Sequence, residues 1–226
     1  MVIPKVLSIA GSDPSGGAGI QADLKTFSAF GCYGMAAMTA LTAQNTNGVR
    51  GIHAIPAQFL EDQLECIFED VPPDAVKIGM VGDAQSIAAL AAVLERYNAR
   101  NIVLDPVMVA TSGDQLIDDD AVDALKTYLM PLSAVMTPNM REAKLLGSTD
   151  AQELLKLGSK AVLVKGGHGD GDECTDMLAT EDGVKTFSAA RVNTRNTHGT
   201  GCTLSSAIAC GLARGQKSPE AVKNAK

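Results

Sequence analysis

The sequence lacks the features of a membrane, secreted or zinc-stabilised protein. Its apolar runs fall short of the roughly 18 residues that a membrane-spanning helix requires. Its N-terminal segment has neither the long apolar run nor the cleavage site of a signal peptide. The 5 cysteines are odd in number and include no Cys-x-x-Cys pair. We therefore expect neither a disulfide framework nor a structural zinc site, and we place the chain in the cytoplasm.

A basic segment is also absent. The chain has 19 Lys and Arg residues against 26 Asp and Glu, a net charge of −7, so we expect no nucleic-acid-binding surface. A bound nucleotide stays compatible with this charge, because local donors hold phosphates. With 226 residues, 46% of them apolar and 20% charged, the composition is that of a globular protein. No repeat or linker interrupts it, and we expect a single domain over residues 1–226.

Short runs rich in Val, Ile and Leu alternate with helical stretches along the chain. Runs without polar alternation are typical of parallel strands buried on both faces. We predict strands at residues 6–10, 76–80, 102–108, 134–137 and 161–165. We predict helices at residues 20–30, 59–69, 84–98, 120–129, 140–146, 154–157, 204–213 and 218–226. This alternation predicts an α/β fold around a doubly wound parallel sheet, with residues 175–179 and 184–187 as an edge hairpin.

Polar and glycine-rich segments fall where the predicted parallel strands end. They are residues 11–19, 79–82, 105–106, 138–139 and 165–168. Ligands of parallel α/β sheets bind beyond the carboxyl ends of the strands. We therefore expect a composite site along one rim of the sheet.

Residues 196–203 read Asn-Thr-His-Gly-Thr-Gly-Cys-Thr and lead into the predicted helix at 204–213. Two glycines let the backbone turn so that successive N–H groups point into one space. A following helix start adds unpaired donors and its positive dipole end. The segment thus predicts an anion site containing the ionisable Cys202. The alternative is a plain glycine turn with Thr203 as the N-cap of the next helix.

Two familiar nucleotide motifs are incomplete or absent. Residues 17–22 match the G-x-G-x-x-A form of the dinucleotide fingerprint, but residues 39–46 supply no acidic residue to hold the ribose. No G-x-x-x-x-G-K-[ST] sequence occurs. A dinucleotide site and a P-loop are therefore both disfavoured.

The chain instead resembles the ribokinase-like superfamily, specifically the hydroxymethylpyrimidine/phosphomethylpyrimidine kinases of thiamine biosynthesis. The motifs that carry this resemblance lie at residues 10–26, 40–46, 77–80, 105–108, 137–139, 165–168 and 196–202, essentially the whole chain. The resemblance implies a three-layer α/β/α fold with a mainly parallel sheet and a small β edge. It also implies Mg²⁺-dependent phosphorylation, by ATP, of 4-amino-5-hydroxymethyl-2-methylpyrimidine to its monophosphate and then its diphosphate. A homodimer is implied as well, for which residues 36–41 and 52–55 are candidate interface strands.

The resemblance assigns the catalytic anion hole to Gly199, Thr200, Gly201 and Cys202. Cys202 stands where most superfamily members carry an aspartate base. We expect the helix start to lower the pKa of its thiol, so that the thiolate accepts the hydroxymethyl proton. A cysteine that merely packs under the loop is the alternative. We expect His198 to shape the loop through a hydrogen bond.

Further residues are assigned by the same resemblance. Substrate binding falls to Gln44, Asp23, Gly11, Met80 and Val107, and ATP binding to Asn139, Lys165, Glu142 and Thr200. Gln44 has both a donor and an acceptor for the edge of an aminopyrimidine. Glu142 and Asp105 are the expected magnesium residues, acting largely through water. A solvated helix face is the alternative for Asp23, and a capping role is the alternative for Glu142.

Compared with that family, the chain is expected to be shortened near residues 147–150 and at its C-terminus. Two other functions stay open. A pyridoxal or pyridoxine kinase shares the Gly-Thr-Gly-Cys motif, although pyridoxine lacks the amino group that Gln44 would bind. A catalytically silent vitamin-binding relative is the second, and intact Cys202, Asn139, Glu142 and Lys165 disfavour it.

Overall fold

Eight strands of the computed structural model form one mainly parallel sheet, and two more form a separate ribbon. The model describes residues 2–108, 117–166, 172–194 and 196–226. The strands are β1 (Lys5–Ala10), β2 (Tyr33–Met38), β3 (Ala40–Asn45), β4 (Gly48–Ala54), β5 (Ala75–Ile78), β6 (Ile102–Leu104), β7 (Val135–Met136), β8 (Ala161–Val164), β9 (Glu173–Thr180) and β10 (Gly183–Ala190). The sheet order is β10-β9-β8-β7-β6-β5-β1-β2, and all pairs from β8 to β2 are parallel.

Helices cover both faces of this sheet. They are α1 (Gly19–Ala29), α2 (Ala57–Asp70), α3 (Ala84–Arg96), α4 (Asp119–Ala124), α5 (Met140–Leu146), α6 (Ala151–Leu155), α7 (Thr200–Ala213) and α8 (Ser218–Ala225). One apolar cluster joins the sheet to α2, α3 and α4, and a second joins its other face to α7 and α8. The predicted three-layer α/β/α architecture is therefore confirmed, and α7 lies directly on the sheet. Within the described ranges, each helix is too short or too polar to traverse a bilayer.

The predicted edge hairpin is present as β9 and β10, which pair antiparallel around the turn at residues 181–182. The β-strand candidate near residues 36–41 covers the end of β2 and the start of β3, because the chain changes sheets at Thr39. The Thr39 N–H donates to Ala10 O and its hydroxyl donates to Met80 O, which fixes the bend. The chain continues into the ribbon of β3 and β4, which we call the β3–β4 ribbon.

Three predicted elements differ in length or type. The strand predicted at 102–108 ends at Leu104, because the Asp105 side chain turns into a polar cluster and Pro106 has no N–H to donate. The helix predicted at 120–129 begins at Asp119 and continues as a π-helical turn, Leu125–Leu129. The helix predicted at 154–157 lies earlier, since the Asp150 carboxylate caps α6 through Gln152 N.

Ordinary helix caps close the short connection at residues 147–149. Gly147 ends α5 in the left-handed region, with φ of 115°, which glycine adopts without steric cost. Asp150 then begins α6.

Candidate active site

A cleft of about 490 Å³ opens at the carboxyl ends of the parallel strands. Ten of the residues predicted for the site line it: Gln44, Asp105, Val107, Asn139, Glu142, Lys165, Gly199, Thr200, Gly201 and Cys202. Gly11, Asp23 and Met80 are not among the described residues that line the cleft. Of the motif at 165–168, Gly167 and His168 lie outside the described residues.

The predicted anion hole at residues 199–202, which we call the anion loop, forms the N-cap and first turn of α7. Gly199 is the N-cap, with φ of 75°, and the helix starts at Thr200 rather than at residue 204. Among the described residues, none accepts the N–H of Gly201 or of Cys202. These free donors at a helix start are suited to an anion. The alternative in which Thr203 is the N-cap is wrong, because the Thr203 N–H and hydroxyl both donate to Gly199 O from inside the helix.

Cys202 is partly exposed at the third position of α7. Burial raises the pKa of its thiol above the ordinary value; Lys77 opposes this change, and Asp23 and Asp105 reinforce it. The expectation of a lowered pKa is therefore wrong. The helix start that prompted it is real, but removal of the sulfur from water by burial outweighs it.

Asp13 ties the first glycine-rich loop to the anion loop. Its carboxylate accepts hydrogen bonds from the backbone N–H groups of Ser15, Gly17 and Ala18, and lies 2.8 Å from His198 Nε2. Burial opposes ionisation, but these bonds lower the pKa of Asp13, so the carboxylate accepts and His198 donates. The loop-shaping role expected for His198 is confirmed. The role of Asp13 was not predicted, although its place in a glycine-rich loop after a strand was a usable signal.

Lys165 lies under the anion loop at the end of β8. Its Nζ is 2.8 Å from Asp105 Oδ1, which also accepts from the Thr137 hydroxyl at 2.9 Å. A Cβ on Gly201 would lie 3.2 Å from this Nζ, a tight contact that glycine avoids, so the ammonium lies close to the loop backbone. Burial works against both charges, but the pairing raises the pKa of Lys165 and lowers that of Asp105. The site therefore holds a fixed positive charge beneath the free N–H groups.

Asn139 and Glu142 form a capping box at the start of α5. The Asn139 side chain accepts from Glu142 N at 3.0 Å, and Glu142 Oε2 accepts from Asn139 N at 2.8 Å. The capping alternative for Glu142 is thus present in the structure. Burial raises the pKa of Glu142 to about 7, only partly offset by Lys165. A buried carboxylate of this kind gains from a nearby cation.

The residues predicted to bind substrate fall into two groups. Gln44 and Val107 line the cleft, and a register shift between Ala43 and Gln44 in the β3–β4 ribbon re-aims this part of the strand. Gly11 and Met80 pack against each other just outside the cleft, since a Cβ on Gly11 would lie 2.6 Å from Met80 Cε.

Asp23 is placed differently from both the substrate contact and the solvated face expected for it. It is fully buried, and its Oδ2 is 2.8 Å from Lys77 Nζ. Its remaining oxygen accepts from Ser206, on α7. The carboxylate therefore faces the protein interior behind the anion loop.

Asp176 and Lys226 are among the cleft residues that were not predicted from the sequence. Asp176 on β9 accepts from Gly166 N at 2.9 Å through Oδ1, and its Oδ2 is 2.6 Å from Lys226 Nζ. Asp176 thereby fixes the backbone just after Lys165. The sequence gives no sign that an acidic residue in the edge hairpin would line the cleft, since most of the other residues predicted for the site follow the parallel strands or lie on helices.

Free helix N–H groups, a paired lysine below them and a buried carboxylate beside it together define a site for a group transferred as an anion. In a three-layer α/β/α fold with this strand order, these features define a small-molecule kinase of the ribokinase-like class. A model of the family described as phosphomethylpyrimidine kinase matches residues 13–226. The chain belongs to this phosphomethylpyrimidine kinase family.

Three similar proteins represent the comparison. The hydroxymethylpyrimidine/phosphomethylpyrimidine kinase of Rhizobium meliloti is 51% identical over 97% of this chain and 86% of that protein. A crystal structure of phosphomethylpyrimidine kinase from Clostridium difficile superposes with a TM-score of 0.86 at 44% identity, covering 99% and 96% of the two chains. Pyridoxal kinase from Staphylococcus aureus, in complex with AMP-PCP and pyridoxal, gives a TM-score of 0.90 at 34% identity, covering 100% of this chain and 86% of that one.

Proposed function

We propose that this kinase transfers the γ-phosphoryl group of ATP to the hydroxymethyl group of 4-amino-5-hydroxymethyl-2-methylpyrimidine, and then phosphorylates the resulting monophosphate. The observation that carries the proposal is that Cys202 and the free N–H groups of the anion loop share one cleft with Gln44. The names of relatives such as the Rhizobium meliloti protein support the same substrates.

The chain's own groups divide the work of the transfer. Gln44 would bind the amino edge of the pyrimidine and so turn the hydroxymethyl group toward Cys202. The Cys202 thiolate would accept the hydroxyl proton. The N–H groups of Gly201 and Cys202, with the Lys165 ammonium beneath them, would stabilise charge on the phosphoryl group in transit. Gly199 and Thr200 would shape the loop around it, and Thr200 and Asn139 would also contact ATP.

Magnesium fits one part of this site. Mg²⁺ takes oxygen ligands and keeps several waters, binding through a carboxylate and the substrate phosphates. The buried Glu142 supplies such a carboxylate, and because burial raises its pKa, a bound cation would favour its ionised form. The Asp105 carboxylate is already engaged by Lys165 and Thr137, so we assign it to holding that lysine rather than to the metal. A bound Mg²⁺ would neutralise phosphate charge.

We also propose a cytoplasmic homodimer. Every cysteine of the chain is a free thiol, which suits a reducing compartment. The β3–β4 ribbon exposes apolar side chains, with Leu41 44% and Ile52 47% accessible, although it forms a wall of the cleft. A second copy covering the ribbon would bury them.

Pyridoxal kinase is the second candidate, and the fold similarity to the Staphylococcus aureus enzyme favours it. A direct kinetic comparison of the two alcohol substrates distinguishes the two candidate functions. The purified protein is given Mg-ATP with hydroxymethylpyrimidine, its monophosphate or pyridoxal, and ADP release is measured at several substrate concentrations. Lys165→Met serves as the matched control for a contaminating kinase. We expect the highest kcat/KM for the pyrimidine alcohol and ADP release with the monophosphate.

A higher kcat/KM for pyridoxal would replace the main proposal by the second candidate. Binding of the pyrimidine without ADP release would instead show a silent binding protein. No ADP release with the monophosphate alone would remove the second phosphorylation from the proposal.

A further inference from the structure

A charged cluster lies in the interior directly behind the anion loop. Lys77 Nζ on β5 is 2.8 Å from Asp23 Oδ2 on α1, and both side chains are fully buried. The Ser8 hydroxyl on β1 donates to Asp23 Oδ2 at 2.6 Å, and the Ser206 hydroxyl on α7 donates to Asp23 Oδ1 at 2.7 Å. Four elements thus meet at one carboxylate, with no contact to solvent.

Stability alone gives little reason to keep this pair. Taking two charges out of water costs several kcal/mol per ion, and apolar replacements of similar volume are often neutral or stabilising. Asp23 is the hydrogen-bond partner of the Lys77 ammonium in the described part of the chain. The ammonium therefore has donor capacity and positive charge beyond what Asp23 uses.

The cluster reaches the face of α7 that carries Cys202. Ser206 lies one helical turn after Cys202, so the two side chains share one face of α7. The Lys77 ammonium lies at the end of β5, where a Cβ on Gly79 would be 2.8 Å from Nζ. Glycine at this position leaves room for the buried ammonium beside the backbone.

The charges around Cys202 come from four elements. Lys77 and Lys165 are positive, and Asp23 and Asp105 are negative. Of these, Lys77 has the largest effect on the pKa of the Cys202 thiol, and it is the one that lowers that pKa most. Burial would favour a neutral Lys77 amine, but Asp23 and then Cys202 raise its pKa, so the ammonium keeps its charge.

We propose that Lys77 is a positioning residue for Cys202: its buried ammonium, clamped by Asp23, stabilises the Cys202 thiolate that accepts the substrate proton. The inference rests on the proposed function. In that reaction the hydroxyl proton passes to Cys202 Sγ and the alkoxide oxygen forms the new bond to the γ-phosphorus. The bond from that phosphorus to the β,γ-bridging oxygen breaks, and ADP leaves with its electron pair.

The test measures Cys202 itself, without substrates. Alkylation by iodoacetamide is followed from about pH 7 to about pH 11.5, a range that extends above the raised pKa of this thiol, using fragment-ion mass spectrometry that separates Cys202 from Cys210 on their shared tryptic peptide. We expect Lys77→Met to move the pH midpoint of Cys202 alkylation upward by about one unit, which is about a tenfold loss of thiolate below the midpoint. The low-pH limb of kcat should move in the same direction, with KM for ATP changing less than twofold.

Ser8→Ala is the matched control, because it removes an equally buried hydrogen bond to Asp23 without changing a charge. Its alkylation midpoint should equal that of the unchanged protein. Lys77→Met leaves Asp23 buried without its cation, so D23N/K77M, which removes both charges, is measured beside it. Asp23 affects Cys202 less than Lys77 does, so the double variant should keep a smaller upward shift.

An unchanged or lower midpoint in folded Lys77→Met overturns the proposal, as does an equal shift in Ser8→Ala. Where Lys77→Met does not fold, the double variant decides by the same criterion. These outcomes are separate from failure of the proposed function, since alkylation is measured whether or not Cys202 acts as the base.

Discussion

Gly199 and Gly17 are in backbone contact, so that a Cβ at Gly199 would collide with the carbonyl oxygen of Gly17. This contact joins the anion loop at the start of α7 to the glycine-rich loop after β1. The two loops, 182 positions apart in the chain (199 − 17), therefore form one wall of the cleft.

The Gly199 contact makes Gly199→Ala a sharp test of the anion loop. We expect kcat/KM to fall at least 100-fold, because the loop must leave Gly17 and its N–H groups turn away from the phosphoryl group. Gly215→Ala is the matched control, since Gly215 has a similar φ of 80° and nothing within 4 Å of a Cβ. That variant introduces the same backbone strain and should keep its kcat. Equal losses in the two variants would contradict a specific role for the loop contact.

Cys202→Ala should lower kcat by about 100- to 10,000-fold, the range that loss of a general base produces. Binding of the pyrimidine, measured by calorimetry, should change little, because the alanine keeps the helix start intact. Cys66→Ala removes an exposed cysteine on α2 and should leave both quantities unchanged. Near-normal activity of Cys202→Ala at every pH would make this residue a packing group and place the base elsewhere.

Asp13→Asn should loosen the glycine-rich loop. The amide accepts fewer of the hydrogen bonds that the carboxylate receives from four residues, Ser15, Gly17, Ala18 and His198. We expect a loss of about 2 kcal/mol in the free energy of unfolding and a drop of tenfold or more in kcat/KM. Asp83→Asn provides the comparison, because Asp83 caps α3 and does not line the cleft. Asn and Asp are about equally good N-caps, so this variant should change the stability little and leave the kinetics unchanged; a kinetic effect equal to that of Asp13→Asn would argue against the loop explanation.

Glu142→Gln should stabilise the protein at high pH and not at low pH. The pKa of Glu142 is raised from 4.5 to about 7, so its contribution to stability is fully present below pH 4.5 and is lost as the pH rises through 7. We expect the variant to gain on the order of 2 kcal/mol at pH 8 and nothing at pH 4.5, measured by thermal unfolding without Mg²⁺. The glutamine keeps the cap to Asn139 N.

The exposed Glu153, paired with Lys156 on α6, gives the control for Glu142. Glu153→Gln should show no gain that depends on pH. In assays with Mg-ATP, Glu142→Gln should lose most of its kcat while Glu153→Gln keeps it. A gain for Glu142→Gln that is independent of pH would contradict the burial of an ionised carboxylate.

Much of the fold could be predicted because its signals are local. Short buried strands such as β5 and β8 are unbroken apolar runs or nearly so, and the turn at residues 181–182 carries ordinary hairpin chemistry. The start of α7 was misplaced, because Gly-Thr-Gly has poor helix propensity and only the contact with Gly17 fixes it as a first turn. The sheet change at Thr39 depends on hydrogen bonds to Ala10 and Met80, which no local pattern reveals.

The site residues likewise include some that could be predicted from the sequence and some that could not. Cys202, Lys165 and Glu142 lie at strand ends or helix starts, where position in the fold already indicates a role. Lys77 and Asp23 could not be placed from the sequence, because a lone charge in an apolar stretch does not say whether it faces a ligand or a buried partner. The direction of the Cys202 pKa was missed because burial of the sulfur, which raises that pKa most, depends on the packing of several elements.

The β3–β4 ribbon has a consequence for how the cleft responds to its ligands. A two-stranded ribbon is barely stable by itself, yet this one contributes to the wall of the cleft through Gln44, Asn45, Thr46, Gly48 and Val49. In the proposed homodimer, substrate bound in the cleft stabilises one side of the ribbon, and the second protomer stabilises the side that it covers. By thermodynamic reciprocity, each then strengthens the other. Substrate should accordingly strengthen dimerisation, and a higher protein concentration should lower the Kd for substrate.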